Sequence, residues 1–133
     1  MIVVVADTHT ILWYLFGDSR LSDAAKKYID QAANRQDTIG VSSITLAEAL
    51  YLAEKKRVPS DTLTRLMKTL QVPGGVFVEI PLDSSVIQHM EKVPRDQVPE
   101  LPDRIIAGTA LSLTVPVISR DRQIRTSSIQ TIW

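Results

Sequence analysis

No cysteine occurs among the 133 residues. This excludes disulfides and thiolate metal ligands, and it fits a reducing compartment. Net charge is also missing: fifteen Lys and Arg balance fifteen Asp and Glu. No overall field therefore draws the chain to a polyanion, and any attraction to nucleic acid must come from local patches. No apolar run approaches the roughly 18 residues of a membrane span. The single N-terminal apolar stretch is cut by Asp7 before it could serve as a secretory leader. P-loop, G-x-G-x-x-G, H-E-x-x-H and G-x-S-x-G patterns are absent as well, so serine, cysteine and histidine mechanisms have no support. What is left is the expectation of a soluble, cytoplasmic protein with no membrane partner. It would form one domain over residues 1–133, with an ordinary apolar content of 44% and enough length to bury a core.

The order of elements can be read from punctuation and periodicity. Ile2 to Ala6 is short, β-branched and apolar without alternation, as expected of a strand covered on both faces. Ile11, Leu12, Leu15 and Phe16 stand at helical spacing and predict a helix from Thr8 to Phe16, closed by Gly17 and Asp18. Ser22 caps a second helix reaching about Asn34. Thr38 to Val41 reads as a strand, and Ser42 or Ser43 starts a helix that carries Glu48 and fades at Glu54-Lys55-Lys56-Arg57. A helix from Asp61 to Leu70 and a strand from Val76 to Ile80 follow, then a helix from Asp83 or Ser84 to about Glu91. Pro94 to Pro102 is the one long loop. A helix opening at Asp103 then leads to strands at Val115 to Ile118 and Ile129 to Ile132, with a short helical turn near Asp121 between them. Strands alternating with helices predict an α/β fold, a three-layer α/β/α domain with a mostly parallel sheet. Ligands of such sheets bind beyond the carboxyl ends of the strands, where Asp7 and Asp121 fall.

Four carboxylates occupy positions that a simple core would reject: Asp7, Glu48, Asp103 and Asp121. Burying one unpaired carboxylate costs several kcal/mol, or the group takes up a proton instead. Taken singly, Asp7, Asp103 and Asp121 have ordinary explanations as helix caps or first-turn acids. Glu48 interrupts the apolar run Ile44 to Ala53. It would need a buried donor, with Arg104 or Arg120 as the obvious structural partners. Taken together, the four suit a hard divalent cation, Mg²⁺ or Mn²⁺, which prefers oxygen ligands. A pair of such ions can activate water and stabilise the leaving oxygen of a phosphodiester.

The neighbouring residues carry weaker signals. Thr8 and Ser119 flank Asp7 and Asp121, where they could hydrogen-bond a water or merely close a turn. Arg104 and Arg120, with Arg122 and Arg125, are candidates for phosphate contacts. Lys55 to Arg57 read as a solvated helix C-terminus. His9, two residues past Asp7, could touch substrate but is expected to be exposed, and His89 to have no role. Trp13, Tyr14 and Phe16, at helical spacing, are expected in core or subunit contacts.

The text around the acids resembles a family. Val5-Ala6-Asp7-Thr8-His9-Thr10, Ser42-Ser43-Ile44-Thr45-Leu46-Ala47-Glu48, Asp103-Arg104-Ile105-Ile106-Ala107-Gly108-Thr109-Ala110 and Val117-Ile118-Ser119-Arg120-Asp121 are similar to the PIN domains. The resemblance is greatest to the VapC-type toxin ribonucleases of toxin–antitoxin modules, and it covers essentially the whole chain. It implies a five-stranded parallel sheet and a Mg²⁺- or Mn²⁺-dependent endoribonuclease acting on RNA. It also implies a homodimer and a cognate antitoxin lying over the site. The family's four acids fall on Asp7, Glu48, Asp103 and Asp121. One departure concerns Glu100-Leu101-Pro102-Asp103-Arg104, where many relatives have Asp-Pro-Phe-Asp-Arg, so the loop entering Asp103 is differently made. Two other readings compete: a non-catalytic PIN-like module that binds RNA or protein, and a receiver or aspartyl-phosphate phosphotransfer domain. The latter lacks an Asp-x-Asp signature and a strand-end lysine.

Overall fold

In the computed structural model, which describes residues 1–133, the first strand lies in the middle of the sheet. β1 (Ile2–Ala6) is flanked by β2 (Thr38–Ser42) and β4 (Val117–Ile118); β3 (Phe77–Ile80) and β5 (Thr131–Ile132) form the edges. The order is β3-β2-β1-β4-β5, and every pairing is parallel. The sheet is thus wholly parallel, as far as an α/β/α sandwich can go in that direction.

Period-two alternation divides the core between the two faces of the sheet. Val4, Ala6, Ile39 and Val41 pack into one cluster with Ile11, Leu12 and Trp13 of α1 (Thr8–Phe16), Ala25 and Ile29 of α2 (Asp23–Asn34), Ala49 of α3 (Ser43–Glu54) and Leu66 of α4 (Thr62–Leu70). Val5 and Val117 face the other way, against Ile106, Ala107 and Ala110 of α6 (Leu101–Leu113) and Ile124 of α7 (Arg122–Thr126). α5 (Ser84–Met90) packs on α6 through Val86, Met90 and Ile105. Gly108 permits that approach: a Cβ there would stand 2.7 Å from Met90 Cγ and 3.1 Å from the Val86 carbonyl oxygen.

Several boundaries differ from the sequence reading for identifiable reasons. α6 starts at Leu101, so Pro102 lies in its first turn instead of the preceding loop. Proline is tolerated there because the first helical N–H groups have no intrahelical acceptor. β4 is only two residues long: the Val115 N–H turns back to the Ala110 carbonyl, closing α6, and Pro116 has no N–H to give. α3 is not the buried element its composition suggests. Leu50 and Tyr51 are 46% and 55% exposed, and Glu48 is half-buried at the edge of a cleft. Gly17 ends α1 in the left-handed region (φ 61°), with its N–H on the Trp13 and Tyr14 carbonyls, and so turns the chain toward Asp18 and Arg20.

Candidate active site

β1 and β4 run side by side, and the residues just past their carboxyl ends meet. The Asp7 N–H donates to the Ile118 carbonyl at 3.1 Å, and Thr10 Oγ1 donates to the same oxygen at 2.9 Å. Ser119 is thereby placed beside Asp7: its Oγ donates to Asp7 Oδ2 at 2.5 Å and accepts from the Asp121 N–H at 2.9 Å. Asp7 caps α1, its Oδ1 accepting from the Thr10 N–H at 2.9 Å. Asp121 caps α7 through Oδ1, which accepts from the N–H groups of Gln123 and Ile124 at 2.9 and 3.0 Å. Both aspartates are therefore genuine caps, yet both also face the cleft.

Glu48 reaches the cleft from α3. Thr8 Oγ1 donates to its Oε1 at 2.5 Å and lies 3.0 Å from Thr45 Oγ1. Thr45, three residues before Glu48 and so on the same helical face, was not singled out from sequence. Asp103 enters from the first turn of α6. Its carboxyl is pushed up to about 7, first by burial and then by the charges of Asp121, Glu48, Asp7 and Glu100. Asp7, buried at 5% exposure, is also raised by burial, against the opposing hydrogen bonds of Ser119 and Thr10.

The cleft measures about 620 Å³, and all four acids line it together with Thr8, His9, Trp13, Arg20, Glu100, Pro102, Arg120 and Arg122. The two ion pairs of the molecule, Arg20–Asp18 and Lys26–Asp30, leave these acids unneutralised. No lysine is present in the cleft. The arginine partners considered for Glu48 do not pair with it. Arg104 does not line the cleft. Its Nη2 donates to the Met90 and Val93 carbonyls at 3.2 and 3.3 Å, and its Nε is buried without a partner. One position beyond Asp103 means a rotation of about 100° around the helix, which turns Arg104 toward the end of α5. Its reading as a phosphate contact is corrected accordingly. Arg120 does line the cleft, stacked on Trp13, and His9 is exposed within it.

The donor set is all oxygen and unpaired with any base, the chemistry that suits Mg²⁺ or Mn²⁺. As the side chains stand, no three acidic or imidazole groups converge into a ready ligand shell. Hydroxyls and helix N–H groups hold Asp7, Glu48 and Asp121, and like charge spreads the set. The residues fit such an ion in kind, through a shell completed by water.

Comparison with known proteins agrees with this geometry. Ribonuclease VapC22 of Mycobacterium tuberculosis is 26% identical over 125 residues, covering 94% of this chain and 92% of that protein. DNA-bound VapBC from Salmonella typhimurium superimposes with a TM-score of 0.72 at 20% identity, over 98% of this chain and 97% of that one. VapBC2 from Rickettsia felis, bound to a promoter fragment, gives 0.71 at 15% identity, over 98% and 97%. The PIN domain family model matches residues 4–127. With that match spanning most of the chain, including all four acids, the chain belongs to the PIN domain family.

Proposed function

We propose that residues 1–133 form a single endoribonuclease unit that depends on Mg²⁺ or Mn²⁺ and acts as the toxin of a toxin–antitoxin pair. The observation that carries this reading is the set of four carboxylates around one cleft, none of them in an ion pair. The names of relatives support it: one is a ribonuclease, and a further structural neighbour is a toxin–antitoxin complex from Klebsiella pneumoniae. Asp7, Glu48 and Asp103 would hold the principal ion, and Asp121 a second ion or a water. Such an ion, when bound, supplies Lewis acidity to water and to the phosphodiester oxygens.

The chain's own hydroxyls orient these acids. Thr8 fixes one Glu48 oxygen, and Ser119 fixes one Asp7 oxygen while bracing the Asp121 backbone. Arg120 provides positive charge for substrate phosphate within the same cleft. The overall reaction is hydrolysis of the bond between phosphorus and the 3′ oxygen. The phosphotransfer reading is disfavoured by the absence of lysine from the cleft. Leu50, Tyr51 and Met67, exposed on α3 and α4, are available apolar surface for the expected second copy or antitoxin.

Asp7→Asn tests the reading. It should lower cleavage at least ~100-fold, the scale of losing one key charge-stabilising group, while circular dichroism and oligomeric state stay as in the native chain. Full activity of that variant, or of the native chain in excess EDTA, would sink the proposal. RNA binding with no cleavage at any Mg²⁺ or Mn²⁺ concentration would favour the non-catalytic module. Growth arrest on expression, relieved by the product of an adjacent reading frame, tests the toxin assignment.

A further inference from the structure

RNA faces an obstacle in reaching this cleft. The chain has no net charge, and five acids, the four above and Glu100, line the cleft. A polyanion needs a local source of positive charge that the acids have not already quenched. Three arginines line the same cleft, and two of them share one support. The guanidinium carbon of Arg20 lies 5.1 Å from the centre of the Trp13 ring, and that of Arg120 lies 5.0 Å from it.

The support is rigid. Trp13 is 8% exposed, belongs to the core cluster under α1, and is braced by the His9 ring at 5.4 Å and by Trp133 edge-on at 5.9 Å. So little exposed indole leaves no free face for a base to stack on, but guanidinium groups fit against it through cation–π attraction. Arg20 is fixed a second time. Its Nε and Nη2 donate to the two Asp18 oxygens at 3.1 and 2.7 Å, an ion pair that offsets part of its charge and leaves Nη1 unengaged, so Arg120 is the unpaired cation of the two. Arg120 adjoins Asp121 in sequence and shares the cleft with all four acids, yet no ion pair joins it to any of them. Stacking holds its charge where the acids do not cancel it.

We infer that Trp13 is a positioning residue for RNA: it fixes Arg20 and Arg120 at the rim of the acidic cleft as a two-guanidinium clamp on phosphates of a single strand, adjacent to the one cleaved. The inference rests on the ribonuclease reading for the identity of the strand. Guanidinium suits the task because its planar fork engages phosphate in a bidentate manner. A clamp of this kind gives a neutral protein a grip on the backbone without reading bases.

The test is binding of a fluorescently labelled single-stranded RNA, followed by anisotropy across a salt series in Mg²⁺, with every variant placed in the Asp7→Asn background so that the strand stays whole. Arg120→Ala should weaken binding about 3- to 10-fold and flatten the log–log salt slope by about 0.7, the value for one phosphate contact on a single strand, and Arg20→Ala, whose charge Asp18 partly offsets, should act in the same direction by less. Arg120→Lys should keep most of the slope without recovering the affinity. Trp13→Leu retains both charges, and it should weaken binding about as much as Arg120→Ala while leaving most of the slope. Lys27→Ala, which removes an exposed cation of α2 that does not line the cleft, should change neither. Unchanged slopes in both arginine variants would overturn the clamp, as would native affinity in Trp13→Leu. Cleavage by the native chain is measured separately. If it cleaves while the slopes are the same in every variant, only the clamp fails. If the slopes fall but the native chain never cleaves, the ribonuclease reading fails instead.

Discussion

Asp103→Asn should stabilise the metal-free protein while removing a residue the proposed chemistry needs. Asp103 titrates near 7 instead of 3.8 because burial and four neighbouring acids disfavour its charge. The folded state therefore holds this proton to a higher pH than the unfolded state does. Below about pH 4 both states are protonated, and the group contributes nothing to the balance. As pH rises from there to about 7, the unfolded chain ionises while the folded one resists, so stability is lost progressively; above that window the loss is constant. Full conversion at about 1.4 kcal/mol per pH unit gives about 4 kcal/mol. The side chain is only half-buried, and solvent screening reduces this to about 1–2 kcal/mol. Asparagine keeps the shape and removes the ionisation. In EDTA at about pH 8 the variant should melt roughly 3–8 °C above the native chain for a domain of this size. The gap should shrink as the pH falls toward the unfolded value and vanish below about pH 4. Added Mg²⁺ should reverse the order by stabilising the native chain selectively. Urea or thermal unfolding at several pH values measures all of this. A variant less stable than native in EDTA at the alkaline end, or a gap that ignores pH, would refute the repulsion argument.

Other outcomes follow from the same geometry. Thr8→Val frees one Glu48 oxygen and should cost about 10- to 100-fold in activity or metal affinity, the usual effect of losing a group that orients a ligand. Ser119→Ala removes a bond that holds the Asp7 pKa down, so the acid limb of its pH–rate profile should move to higher pH; an unmoved limb would count against that bond. Arg104→Ala should destabilise the fold by about 1–3 kcal/mol, because the Met90 and Val93 carbonyls lose a charged donor, yet leave the salt dependence of RNA binding as it is. Gly108→Ala should cost about 1–3 kcal/mol by forcing α5 and α6 apart, and activity should fall with it because α6 carries Asp103.

What could be read in advance was what local pattern determines. The β-branched run Ile2 to Ala6, the serine and aspartate caps and the Gly17 stop all act within a few residues, and each lies where its local chemistry places it. The acids could be recognised as a group because capping explains three of them singly but not all four facing one cleft. Pro102 misled because proline both interrupts helices and starts them, and only its place in the first turn separates the two. Arg104 misled because adjacency along a helix is divergence in space. α3 misled because apolar content does not say which side faces water. The Trp13 pedestal was beyond reach: Arg20 comes to it through the Gly17 turn, but residues 120 and 133 converge on it only through the sheet order, and no spacing along the chain encodes that.

The placement of β1 also has a consequence in time. The earliest of the five strands in the sequence occupies the middle of the sheet, and one of its edges waits for β4. Ser119, which grips Asp7, lies 112 residues later in the chain. Such distant pairing forms late in folding, because loop closure precedes its reward. A growing polypeptide therefore has Asp7 and Glu48 long before it has a cleft. Interrupted synthesis leaves fragments that cannot bring the acids together, so the hazard of an active nuclease is deferred until Ser119 and Asp121 have emerged from the ribosome.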